Sequence, residues 1–319
     1  MLLLSSAVMF AGCGSGSVET DTTEQKDTDE VAVSKSEGIT VTDLEGNTIE
    51  LGAPPKRIIP FSAGDLETIY ALGGEAVGRP VIRGEIPEHF ADIPEIGTSN
   101  EINIEKVTSL DPDLVIAHPQ LNADQIPVLE ELGIDILLTG AGTIEEIKTS
   151  INLVGKVLQK EEEAKGLTAE VDEKIDSVKE NTTEQLRTLI IFGVPGSWMV
   201  ALPTSLTGNM LEAVGGYNIA KDYPTLERFP QYAQLDTEKI LEADPKLILL
   251  ITPGDSEKAK ESLSKEMEKN PTWKSVAAVE SGNIVSLPNE LFGASPGAKV
   301  NESLDYLQEV IQSIDNEEK

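Results

Sequence analysis

A stretch of twelve residues occurs twice. Glu105 to Ile116, EKVTSLDPDLVI, returns in type as Glu238 to Leu249, EKILEADPKLIL. In each copy a Glu-Lys pair opens an amphipathic helix and Asp-Pro ends it, because the residue before a proline is steered out of the α region. The run of Leu, Ile and Val that follows reads as a buried parallel strand. A second echo precedes each copy: ETIYALGGEAVG at 67–78 and NMLEAVGGYNIA at 209–220, each a helix closed by Gly-Gly before a short strand. Two echoes in the same order predict an α/β protein of two similar lobes with mostly parallel sheets, and they place the function between the lobes.

The bulk numbers agree with that plan. At 319 residues and 39% hydrophobic, the chain can fill two modest cores. Its net charge of -31, from 56 acidic against 25 basic residues, repels nucleic acid and anionic lipid, and no nucleic-acid partner is expected. The same charge attracts cations or cationic complexes, and it also serves solubility.

The single cysteine, Cys13, rules out an intramolecular disulfide. It follows LLLSSAVMFAG, an apolar run too short to span a bilayer and ending in small residues, as a signal peptide does, although no Lys or Arg precedes it. Phe10-Ala11-Gly12-Cys13 resembles a bacterial lipobox, which implies cleavage and lipidation at Cys13. The expectation is a signal peptide over 1–13 and a protein held at the extracellular face of the membrane, Gram-positive style, by its lipid alone. No later run reaches the roughly 18 apolar residues that a membrane helix needs.

Residues 14–37 are polar and acidic and predict a disordered tether. The N-terminal lobe is expected over 38–158, beginning with a hairpin that alternates around Glu45-Gly46-Asn47. Ser62-Ala63-Gly64-Asp65 reads as a capped helix start, and the four prolines of 79–100 mark a long surface loop. Thr143-Ile144-Glu145-Glu146 is a capping-box pattern. Helical spacing continues behind it, with a break near Gly155 to Lys160, into a linker helix over 159–183. The C-terminal lobe then occupies 184–319. A single stiff linker predicts little hinge motion.

For chemistry there are two histidines, His89 and His118, and no cysteine cluster, so no zinc site of ordinary spacing. No nucleophile elbow, phosphate-binding glycine loop or His-Glu-x-x-His is present. Binding is favoured over catalysis, with neither a cofactor nor a resident metal expected.

From Arg57 to the C-terminus the chain resembles the substrate-binding lipoproteins of ABC importers for iron complexes and cobalamin, whose two lobes are joined by one long helix. PEHFADIPEIG, GVPGSWMVA, LEAVGGYNIAKD, NPTWKSV and NELFG are similar to segments of the haem-binding lipoproteins of Gram-positive haem uptake. The resemblance implies an extracellular binding protein that captures a metal chelate between its lobes and delivers it to a permease with its ATPase. That haem group holds iron with a Met after the PEIG segment and a His after the second repeat's strand. Here those positions read Thr98-Ser99-Asn100 and Thr252-Pro253-Gly254, so a ferric siderophore stands beside haem as expected ligand, with cobalamin as the alternative. A surface adhesin or exported enzyme on the same scaffold is the alternative from another class.

The resemblance also implies that Glu105 and Glu238 dock onto permease arginines. The plainer reading is that each complements its helix dipole, worth about 0.3–1 kcal/mol, but recurrence in one register favours docking. Trp198 resembles the family's aromatic cleft residue, with core packing the plain alternative. Arg83 and Arg228 are candidates for holding oxygens of the ligand. Tyr232 and Phe292 are candidates for lining the same cleft. His118 and Met199 are candidate iron ligands should haem be bound, against a plain loop histidine and a core methionine.

Overall fold

The structure is a computed structural model that describes residues 38–82, 86–181, 185–253 and 255–317. The apolar leader, Cys13, the 14–37 segment and Arg83 lie outside the described residues. Strands β1 (Ile39–Thr42) and β2 (Thr48–Leu51) form the expected antiparallel hairpin. Asp43 shapes its turn, its Oδ1 accepting the amides of Glu45 at 3.0 Å and Asn47 at 2.8 Å.

Strand β3 (Ile58–Pro60) feeds helix α1 (Ala63–Ala71), capped by Ser62, whose Oγ accepts the Asp65 amide at 3.0 Å. The 79–100 loop is less open than its prolines suggest. Arg79 is buried at its base, donating from Nε to the Phe90 carbonyl at 2.9 Å and pairing with Glu95 at 2.9 Å. After β4 (Gly97–Thr98) and β5 (Glu101–Ile102) comes the first copy of the repeat, as α2 (Ile104–Ser109) and β6 (Leu114–Ala117). Helix α3 (Ile126–Glu131), β7 (Ile136–Leu138) and α4 (Ile144–Val157) follow.

Helix α5 (Glu161–Asn181) then links, along the chain, the parallel sheet of the first lobe to the larger sheet of the second. The break before it has a steric cause: Gln159 takes a left-handed φ of 56°, and a Cβ on Gly155 would sit 2.4 Å from that of Ala164. Only glycine lets α4 and α5 approach so closely. Beyond it lie β8 (Arg187–Val194), β9 (Ser197–Ala201), α6 (Leu206–Ala213), β10 (Tyr217–Asn218) and β11 (Tyr232–Gln234). The second copy of the repeat is α7 (Thr237–Ala243) and β12 (Leu247–Ile251), followed by α8 (Ser256–Lys269), α9 (Ala277–Glu280), β13 (Ile284–Ser286), α10 (Asn289–Phe292) and α11 (Val300–Glu317).

The echoes in sequence are echoes in topology. In the first lobe β6 lies between β3 and β7, all parallel, and a bridge from Ile58 to Ala76 adds the segment after Gly-Gly on the other side of β3. In the second lobe β12 lies between β8 and β13, all parallel, with β10 after Gly-Gly on the other side of β8. The second sheet is extended beyond this plan by the antiparallel strands β9 and β11. Each repeat helix ends on a left-handed aspartate, Asp111 at φ 46° and Asp244 at φ 42°. An arginine from the lobe's first strand region holds each of these carbonyls: Arg57 Nε donates to Asp111 O at 2.7 Å and Arg187 Nε to Asp244 O at 3.1 Å. A cation at a helix C-terminus also complements the dipole.

One apolar cluster runs through both lobes. It joins one face of each sheet, through Ile58, Ile116, Ile190 and Leu249, to the buried stripes of α4, α5 and α11. The opposite faces carry separate clusters, Ile59 and Val115 in the first lobe and Ile191 and Leu250 in the second. The linker is therefore not the only tie. Gly64 packs so tightly on the segment before α11 that a Cβ there would lie 2.3 Å from the Ser295 carbonyl. The Ala298 amide donates to Thr68 at 3.1 Å, and Lys299 pairs with Glu67 at 2.6 Å.

Candidate functional site

The cavity between the lobes follows from strand ends. Parallel strands release their chains at the same edge, and a ligand site forms there. From the first lobe come Ser62 and Asp65 after β3, His118 after β6, and Thr139 to Gly142 after β7. From the second come Phe192 on β8, Ala201 on β9, Ser205 to Thr207 at the start of α6, Tyr232 on β11 and Ile251 on β12. Phe292 to Ser295, at the end of α10 and just after it, complete the lining. The enclosed volume is about 230 Å³.

The second lobe makes an apolar wall. Phe192 and Tyr232 lie with ring centroids 4.9 Å apart, and Phe292 is packed against Tyr306 at 5.9 Å. Both lobes supply polar groups, and the one carboxyl among the described lining residues comes from the first. Asp65 is buried, and its Oδ2 accepts the Ser62 hydroxyl at 2.6 Å and the Thr139 hydroxyl at 3.3 Å. Burial pushes its carboxyl above the usual carboxylate range, against the two hydroxyls that favour its ionised form. Among the described residues that line the cavity none is Lys or Arg, and Asp65 is the one carboxyl.

Tyr232, Phe292 and His118 all line the cavity. For His118 the hydrogen bonds run against metal ligation. Its Nδ1 accepts the amides of Gln120 and Leu121 at 3.3 and 3.4 Å, which puts the proton of the neutral ring on Nε2. Burial pushes its pKa down, outweighing Glu146 and Glu45, so the ring is neutral and presents a donor rather than a lone pair. Among the described residues no group of three or more His, Cys, Asp and Glu is placed to hold a metal ion.

Trp198 is not the cleft aromatic that the resemblance implied. Successive strand residues face opposite ways, and Trp198 shares its face of β9 with Val200, packing into the second lobe's outer cluster. Its indole donates to Glu266 on α8 at 3.0 Å. Phe192, which the sequence did not single out, is the β8 aromatic that lines the cavity. Met199 lies on the same face as Ala201, directly across from Phe192, yet it does not line the cavity. Arg228 is likewise outside the lining: it is exposed and stacks on the Phe229 ring at 5.5 Å. Asp65, Thr139 and Thr207 were also missed, and their signal was positional. Each follows a strand, and Asp65 and Thr207 both stand eight residues before a Gly-Gly pair.

Glu105 and Glu238 are exposed and occupy the same register, the second residue of α2 and of α7. Both helices are capped one residue earlier by a side-chain oxygen. Asn103 accepts the Lys106 amide at 3.0 Å, and Asp236 accepts the amides of Glu238 and Lys239 at 3.0 and 3.3 Å. The glutamates are thus not needed as caps. Trp273 is buried in the second lobe's outer cluster, as a core anchor.

Comparison with known proteins agrees with the geometry. The chain is 27% identical over 257 residues to the high-affinity heme uptake system protein IsdE of Staphylococcus aureus, covering 80% of this chain and 86% of that protein. It superposes with a TM-score of 0.69 on an ABC transporter substrate-binding protein from Listeria monocytogenes, at 27% identity over 80% of this chain and 98% of the other. The same TM-score relates it to Staphylococcus aureus IsdE complexed with heme, at 26% identity over 80% and 98% of the two chains. Residues 58–291 match the periplasmic binding protein family, and the chain belongs to that family.

Proposed function

We propose that this protein is the substrate-binding component of an ABC importer, taking an iron complex into the inter-lobe cavity and delivering it to the permease. The observation that carries the reading is the cavity itself, with an aromatic wall, hydroxyls from both lobes and one carboxyl, built by both lobes of a chain whose relatives include a heme uptake protein. Such a site binds; the one carboxyl among the described residues that line it, Asp65, is held by the hydroxyls of Ser62, at the start of α1, and Thr139, and no covalent step is assigned to it. The ligand is a ferric siderophore or haem. For haem the iron would not be held by His118 in its present hydrogen-bonding state, and shape and aromatic contact carry the affinity.

Delivery is assigned to Glu105 and Glu238, one exposed carboxylate per lobe at one register, docking on basic residues of the membrane subunit. Attachment is assigned to a lipid on Cys13 at the extracellular face. No helix among the described residues is long and apolar enough to cross a membrane. The test is uptake of radioiron-loaded complexes by cells carrying Glu105→Lys with Glu238→Lys. Uptake falls while the purified variant binds its ligand as before; equal loss of binding would remove docking as their role.

A further inference from the structure

The first lobe gives the cavity a buried acid that capping does not explain. Ser62 already caps α1, and an alanine or asparagine at position 65 would leave that cap intact. Desolvating a carboxyl at the edge of a cavity that Phe192, Ile251 and Phe292 also line costs stability unless something in the cavity repays it. Among the described residues only Oδ2 is engaged by hydroxyls, those of Ser62 and Thr139, and the residue lines the cavity. The second lobe answers at the matched position. Asp65 precedes its Gly-Gly pair by eight residues and so does Thr207, a buried residue that also lines the cavity.

Resting on the binding-protein reading above, we infer that Asp65 and Thr207 are the two polar grips of the cavity, one per lobe. Asp65 makes the site select a chelate that presents a cationic or hydrogen-bond-donating edge over a polyanionic one. Opposite charge in a partly desolvated site is attracted more strongly than in water, and like charge is excluded by the same factor. The chain's surplus of acidic residues acts in the same direction at longer range.

Calorimetric titration of the full chain with three ferric complexes of different charge tests this: ferrioxamine B, cationic; ferrichrome, neutral; and ferric enterobactin, trianionic. The expected order is cationic, then neutral, then trianionic, with at least a tenfold gap between the ends. Asp65→Asn, which keeps the hydrogen bonds of Ser62 and Thr139, narrows that gap by at least tenfold, and Thr207→Val weakens all binding complexes alike. Binding of the trianionic complex as tight as that of the cationic one, or a gap unchanged by Asp65→Asn, overturns the inference while leaving iron-complex binding standing. Failure of every complex, with haem included, overturns both. A thermal transition retained by each variant shows that it is folded.

Discussion

Asn209, on α6 of the second lobe, accepts the backbone amide of Ile144 at the start of α4, 2.9 Å across the boundary between the lobes. The first amides of a helix have no partner inside it, and here one of them is satisfied by the opposite lobe. The contact ties the cavity edge at Gly140 to Gly142 to the helix that carries Thr207. Asn209→Ala leaves that amide unpaired and is expected to cost about 1–2 kcal/mol. Thermal unfolding should show a melting temperature lower by several degrees, and an unchanged melt would mean that the bridge contributes nothing.

The tie formed by the segment before α11 should be less forgiving. A Cβ on Gly64 would meet the Ser295 carbonyl, and one on Gly297, at φ 55°, would meet the Gly64 carbonyl at 1.9 Å. Neither neighbour is a flexible side-chain end. Gly64→Ala is expected to destabilise the protein by about 2–3 kcal/mol through overpacking. Small-angle scattering on the folded fraction should show a larger radius as the lobes part. Gly166→Ala, on α5 where the added Cβ meets nothing, is the control: it should leave the radius unchanged and raise rather than lower stability, by up to about 1 kcal/mol, because alanine is favoured over glycine inside a helix.

Asp65 makes stability depend on pH in a stated direction. Its carboxyl is raised in the folded protein above the unfolded value of 3.8, so the folded state gives up that proton less readily than the unfolded state. The group costs nothing below the unfolded value, and the penalty grows as pH rises from there to the folded value. Asp65→Asn should therefore melt higher than the parent at pH 7, with the difference shrinking as pH is lowered towards 4. A difference that stays constant over that range would show that the carboxyl is not shifted.

His118 acts in the opposite direction. Its folded pKa is pushed below the unfolded 6.5, so the contribution is intact above that value and is lost as pH falls below it. His118→Gln should flatten the loss of stability between pH 7 and pH 5, read by chemical denaturation. If haem binds, the same variant should leave its Soret maximum unmoved, because the imidazole is not the iron ligand. A shifted maximum would show that His118 changes tautomer and ligates.

The two-lobe plan was legible because it is written in local chemistry. Asp-Pro stops a helix, Gly-Gly closes one, and a short run of Leu, Ile and Val just after such a stop suits a strand buried on both faces, so two echoes give two equivalent arrangements of strands. The arginines that hold Asp111 and Asp244 were not legible. Each lies more than fifty residues from its partner, and nothing local marks Arg57 or Arg187. The site divided along the same line. Tyr232 and Phe292 follow from aromatic residues near strand ends, while the choice between Trp198 and Phe192 turns on which face of a two-residue period is turned inward. Register across β8 and β9 decides that, and register is a long-range property. Asp65 was visible as part of a helix start and not as a site, since its burial comes from elements far along the chain.

The central claim is that the cavity between the lobes is where an iron complex binds. Isothermal titration of haem, ferrioxamine B, ferrichrome and ferric enterobactin into the full chain tests it most directly, when repeated with Tyr232→Ala in the cavity wall and with Trp198→Phe on the far face of the sheet. The account predicts that at least one complex binds below the micromolar range, that Tyr232→Ala weakens it at least tenfold, and that Trp198→Phe leaves it unchanged. No binding by any of the four, or an affinity that falls with Trp198→Phe and survives Tyr232→Ala, would contradict it.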